Sequence, residues 1–193
     1  MTRSVAAPIV LMLALALLAA SPARSAGLEG KPSPLIELSA RDGAAHTLAA
    51  IAAERPTVVV FWASWCPYCK ALLPELAKLV AEYGEERLAV VAINVWEESK
   101  GDAAAYIDAN AHPFVWLMRG NKTAKAWKVK GTPGLFLVGR GGTVRYDRTA
   151  RPLKPEPAAA AAAGAAASGP AKSARRWIAE LRGEIDTELA RKR

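Results

Sequence analysis

Val58-Val59-Val60-Phe61-Trp62-Ala63-Ser64-Trp65-Cys66-Pro67-Tyr68-Cys69-Lys70 decides the reading of this chain: an apolar run that ends in the only two cysteines of 193 residues. Val58 to Trp62 is a short unbroken series of β-branched and aromatic residues, as expected of a strand buried on both faces. The segment after it, Ala71 to Val80, carries apolar residues at helical spacing. Cys66 therefore falls where a strand hands over to a helix. Pro67 suits the first helical position, where a missing N–H is not needed. Unpaired backbone N–H groups and the positive end of the helix dipole then face the Cys66 sulfur.

That position favours thiolate over thiol, since a free cysteine titrates near about 8.5 and a helix N-terminus in a Cys-X-X-Cys motif lowers it by one to several units. Cys69 lies on the same helical face but deeper, so Cys66 is the attacking sulfur, with the more exposed and more acidic thiol, and Cys69 resolves. Two other uses of the pair fit less well. A structural disulfide closing so short a loop removes little chain entropy. Half of a zinc site would need His46 and His112 as further ligands, and they lack the usual spacing.

Phe61-Trp62-Ala63-Ser64-Trp65-Cys66-Pro67-Tyr68-Cys69 resembles the active-site segment of thioredoxin-fold proteins, above all the exported TlpA/ResA/CcmG-type thiol-disulfide oxidoreductases. Pro74 matches the proline that kinks the active-site helix across that superfamily. Gly131-Thr132-Pro133, followed by Leu135 to Val138, matches its cis-proline loop and the strand after it. The resemblance covers roughly residues 28–148. It departs at the dipeptide between the cysteines, which is Pro-Tyr as in glutaredoxins rather than the Gly-Pro of thioredoxin. The fold implied is α/β: a thioredoxin-like central mixed β-sheet flanked by helices, with an N-terminal β-hairpin and an inserted strand–helix.

The remaining segments read as appendages to one domain. Residues 1–26 hold Arg3, an apolar run from Val5 to Ala20 and small residues from Ser21 to Ala26, the pattern of a signal peptide or N-terminal anchor. Cleavage is expected between Ala23 and Gly27, and either form delivers the domain outside the cytosol, to the periplasm or an equivalent compartment. Loss of this leader lowers the formal charge from +8 to +6, because it removes Arg3 and Arg24 and no acid. The positive residues are scattered and accompany no nucleic-acid motif. Weak attraction to an anionic membrane surface or an acidic partner fits better.

Leu35 to Leu38 and His46 to Leu48 read as a hairpin about Arg41-Asp42-Gly43, with His46 structural. A short helix, Ala49 to Glu54, ends at Pro56. Leu88 to Val95 is a second buried strand, parallel to the first by the right-handed crossover rule. Asp102 to Asn110 reads as helix, Phe114 to Met118 as strand and Asn121 to Lys128 as a short helix. Leu135 to Val138 and Thr143 to Tyr146 flank Gly139-Arg140-Gly141-Gly142, a hairpin signal. Thr149 to Ala171 holds eleven alanines and four prolines and reads as a linker. Residues 172–193 form a last helix with Ile178, Leu181, Ile185 and Leu189 on one face, either packed on the sheet or left for a partner.

In proteins this chain resembles, the Thr132–Pro133 loop faces the cysteines and the backbone of Thr132 pairs with the client chain. Trp65, Pro67 and Tyr68 are then further client-binding residues at the rim, and Trp62 is either core or client contact. The resemblance implies thiol-disulfide exchange through a mixed disulfide on Cys66, with no metal or organic cofactor. Clients would be proteins with thiols or disulfides, such as the haem-attachment cysteines of apocytochrome c, and a membrane-bound thiol donor would recharge the pair. A disulfide oxidase or isomerase is the alternative; a copper carrier is disfavoured because no Met or His stands near the cysteines at ligand spacing. Asn94-Val95-Trp96-Glu97-Glu98-Ser99-Lys100 also resembles a ResA- and CcmG-type segment with a functional glutamate. Glu97, with Glu98 as substitute, is expected to move the proton of Cys69. The other reading of these acids is that they favour the start of the next helix, with Ser99 as its cap.

Overall fold

The computed structural model describes residues 27–40, 43–98, 101–151 and 169–191. The leader read in residues 1–26, the cap read at Ser99 and residues 152–168 of the linker lie outside them.

A five-stranded sheet organises the chain, in the order β5-β4-β3-β6-β7. Its strands are β3 (Thr57–Trp62), β4 (Ala89–Asn94), β5 (Val115–Leu117), β6 (Gly134–Val138) and β7 (Val144–Asp147). Ahead of it, β1 (Glu37–Ser39) and β2 (Ala45–Thr47) pair antiparallel with Leu38 opposite His46, and α1 (Leu48–Glu54) follows. Four further helices are α2 (Pro67–Tyr83), α3 (Ala103–Asn110), α4 (Asn121–Ala126) and α5 (Gly169–Ala190). β3 is parallel to β4, and β4 to β5, whereas β6 is antiparallel to both β3 and β7. The mixed sheet, the N-terminal hairpin and the strand–helix pair β5–α4 are those the sequence leads one to expect.

Every residue of β3, β4 and β6 is buried, which is why these strands read as unbroken apolar runs. Alternate side chains serve two layers. Val58, Val60 and Trp62 join the cluster of Leu72, Leu76, Leu181 and Ile185. Val59 and Phe61 join Val91, Ile93, Trp127 and Phe136 on the opposite face, where Ile36 of the lead-in segment is also buried. That segment crosses the sheet from edge to edge. Gly30 N–H donates to Val144 O at 2.8 Å beside β7, and Ala40 bridges Leu117 beside β5. Both edges thus meet chain rather than open water, which guards against strand addition.

α5 reaches upstream of the expected start and includes Gly169 and Pro170. The linker reading also reaches too far upstream. Arg148–Ala150 is a 3-10 turn, and Arg151 binds Glu184 at 2.7 Å and Glu29. α5 lies along α2, with Ala174, Ile178, Leu181 and Ile185 buried and Tyr83 Oη donating to Asp186 at 2.6 Å. Its apolar face is therefore used within the chain.

Candidate active site

Cys66 is the N-cap of α2: its backbone is extended (φ −84°, ψ 114°), Pro67 occupies the first turn, and its sulfur accepts from Cys69 N–H at 3.3 Å. From the other side, the Cys66 Sγ stands 3.5 Å from the carbonyl of Thr132, in the loop where the Thr132–Pro133 peptide is cis. Both thiols are free. The hydrogen bond with the Cys69 side chain, helped by Thr132 and the backbone N–H groups of Cys69 and Tyr68, lowers Cys66 from 9.0 to about 6 against the opposing effect of burial. Burial drives Cys69 strongly the other way, and the neighbouring Cys66 sulfur adds to that rise. One sulfur is held as the anion while the other keeps its proton.

Exposure differs from expectation. Cys66 is 3% exposed and Cys69 0%, so the nucleophile is nearly as buried as its partner, packed between the start of α2 and the Thr132 loop. The open surface belongs to the rim: Trp65 is 38% and Tyr68 39% exposed, with Pro67 exposed between them and Thr132 and Pro133 half-buried. Trp62 packs in the core, its ring 5.1 Å from both Tyr106 and Trp116. α5 supplies a wall that nothing local in the sequence signals. Trp177 stands 6.1 Å from the Tyr68 ring, and the Arg148 guanidinium lies 5.6 Å over Trp177.

Glu97 reaches the site through Ser64, two residues before Cys66. Ser64 N–H donates to Glu97 Oε1 at 2.6 Å and Ser64 Oγ to Oε2 at 2.8 Å, while Asn94 Nδ2 donates to Oε1 at 2.6 Å. Glu98 is exposed. Ser64 and Asn94 are site residues that the sequence reading passed over, although both lie within the segments it quoted. His46 lies in β2, and His112 stacks near Phe114 and Trp116 with burial lowering its pKa. Among the described residues, no group of three or more His, Cys, Asp or Glu is placed to hold a metal ion.

The AhpC/TSA family profile matches residues 30–147, which is most of the chain. The chain belongs to the AhpC/TSA family. Its curated relatives include the thiol:disulfide interchange protein DsbE of Allochromatium vinosum, 30% identical over 124 residues, 63% of this chain and 66% of that protein. The thiol:disulfide interchange protein HelX of Rhodobacter capsulatus is 30% identical over 129 residues, 65% of this chain and 70% of that one. The chain thus spans about two thirds of the length of these AhpC/TSA relatives. Among solved structures, a Chlorobium tepidum protein provisionally described as DsbE superposes with a TM-score of 0.63 at 23% identity, over 84% of this chain and 98% of that one. The fold is accordingly thioredoxin-like. Within this AhpC/TSA chain, a capped, acidified sulfur beside a buried thiol is an arrangement suited to thiol-disulfide exchange.

Proposed function

We propose that the chain is an exported thiol-disulfide oxidoreductase that reduces disulfides in client proteins. The capped Cys66 sulfur beside the buried Cys69 thiol carries the exchange chemistry, and the resemblance to CcmG-type reductases supports its direction. The Cys66 thiolate attacks one sulfur of a client disulfide, the client S–S bond breaks, and the departing client thiolate takes a proton. Cys69 then loses its proton and attacks the Cys66 sulfur, forming the Cys66–Cys69 disulfide and releasing the second client thiol. Two electrons pass to the client, and a membrane-bound thiol donor restores the pair.

The Thr132 backbone pairs with the client chain beside Pro133, and Trp65, Pro67 and Tyr68 give an apolar ledge that tolerates many sequences. Resemblance to CcmG-type proteins supports the haem-attachment cysteines of apocytochrome c as clients. The leader pattern in residues 1–26 supports export to a periplasmic compartment, and the positive charge supports weak association with an anionic membrane surface. Among the described residues no helix is long and apolar enough to cross a membrane.

Alkylation of the reduced protein, with peptide mapping across pH, tests the division of labour. The thiolate fraction of Cys66 rises as pH rises through about 6. Its labelling should climb there and level off within about two pH units, with Cys69 still unlabelled. Labelling of Cys69 first, or a Cys66 rate still climbing at 9.0, the ordinary thiol value, would overturn the assignment.

A further inference from the structure

Ser64 is 6% exposed and sits in the turn Ala63–Cys66, which closes with Cys66 N–H donating to Ala63 O at 3.1 Å. A buried N–H and a buried hydroxyl at this place need acceptors. One side chain serves both, Glu97, whose two oxygens stand 2.6 and 2.8 Å from Ser64 N and Oγ. With Asn94 Nδ2 at 2.6 Å, three donors converge on the carboxyl group and both of its oxygens are engaged.

The loop is shaped around this contact. Trp96 (φ 53°) and Glu98 (φ 41°) flank Glu97 in left-handed backbone, which residues other than glycine keep only where their surroundings over-determine it. A Cβ at Gly101 would overlap Ser64 Oγ and stand 2.7 Å from Glu97 Oε2, so the third side is closed by a residue with no side chain. The same loop makes a second tie to the turn, since Trp65 Nε1 donates to Trp96 O at 2.9 Å.

We propose that Glu97 is a positioning residue: through Ser64 its carboxylate holds the Ala63–Cys66 turn, so that the Cys66 sulfur keeps its place at the start of α2, and it carries no proton during exchange. This rests on Cys66 being the attacking thiol. It replaces the proton-transfer role read from the sequence. The Cys66 sulfur meets Cys69 N–H and the Thr132 carbonyl, whereas the hydrogen bonds of Glu97 go to Ser64 and Asn94.

Glutamine separates the two roles. In Glu97→Gln the amide oxygen can accept from Ser64 N–H and Asn94 Nδ2, and the amide nitrogen can donate to a reoriented Ser64 hydroxyl, so the clamp survives without a carboxyl group. Glu97→Ala removes the clamp, and Ser64→Ala removes one of its bonds. In the full chain, thiolate absorbance titration and exchange with a disulfide peptide should find Glu97→Gln like wild type, within about twofold in rate. Glu97→Ala should titrate Cys66 about one unit higher and react severalfold more slowly at the wild-type midpoint. Ser64→Ala should fall between.

Two results would overturn the proposal: Glu97→Gln as slow as Glu97→Ala with Cys66 titrating as in wild type, or Glu97→Ala indistinguishable from wild type. Should Glu97→Ala fail to fold, Glu97→Gln and Ser64→Ala decide by the same readouts. Failure of the wild type itself to exchange would sink the functional reading, while the titrations would still decide the clamp.

Discussion

Replacing Cys66 with serine is expected to abolish exchange with a disulfide peptide, leaving no turnover above that of the small-molecule reductant. A serine hydroxyl is not ionised anywhere near neutral pH, so the N–H groups that stabilise the sulfur anion have nothing to stabilise, and Cys69 is fully buried with its proton held tightly. Cys69→Ser should behave differently. The first attack still occurs, resolution cannot, and the client accumulates as a mixed disulfide on Cys66, visible by non-reducing electrophoresis and mass spectrometry. Serine also keeps a donor toward the Cys66 sulfur, whereas Cys69→Ala removes the largest influence lowering it, so Cys66 should titrate higher in the alanine variant than in the serine one. Turnover by Cys66→Ser, or an adduct mapped to Cys69, would reverse the roles.

Leu181→Ala should cost about 3 kcal/mol of stability, within the range for a fully buried leucine, and lower Tm by on the order of 10 °C. Leu181 is 0% exposed and belongs to the buried cluster that includes Leu72, Leu73 and Leu76 of α2. Truncation would remove those contacts and leave a cavity where α5 packs on α2. Thr187→Ala, at an exposed place on the same helix, should change stability by no more than about 0.5 kcal/mol. Equal melting of Leu181→Ala and wild type would mean that α5 does not belong to the folded unit and is free for a partner.

The cysteine motif was legible because its chemistry is local: a buried strand, a turn and a proline at the helix start fix where the Cys66 sulfur points. The parallel pairing of Val58–Trp62 with Leu88–Val95 was legible as well, because a buried strand, a helix and a second buried strand cross over right-handed. Three features of the site were not. The three donors on Glu97 are the backbone N–H and the hydroxyl of Ser64 and the side-chain amide of Asn94. Sequence could place Glu97 near the cysteines but could not show what its oxygens accept. Tyr68 meets Trp177 because α5 packs along α2, a pairing of residues far apart in the chain that no local pattern announces. The near-complete burial of Cys66 likewise comes from the Thr132 loop, far along the chain, closing over a position that is open at an isolated helix end.

The reduction potential of the Cys66–Cys69 pair, measured in glutathione or dithiothreitol buffers, tests the reductase reading most directly. Stabilising the attacking thiolate stabilises the reduced pair and raises the potential. Thioredoxin, with a cysteine near about 7, lies at about −270 mV, and DsbA, with one near about 3.5, at about −120 mV. With Cys66 lowered to about 6, this pair belongs between the two and nearer thioredoxin, on the reducing side of that range. A value between about −180 and −270 mV is the predicted result, and one at or above about −150 mV, among the strong disulfide donors, would contradict it.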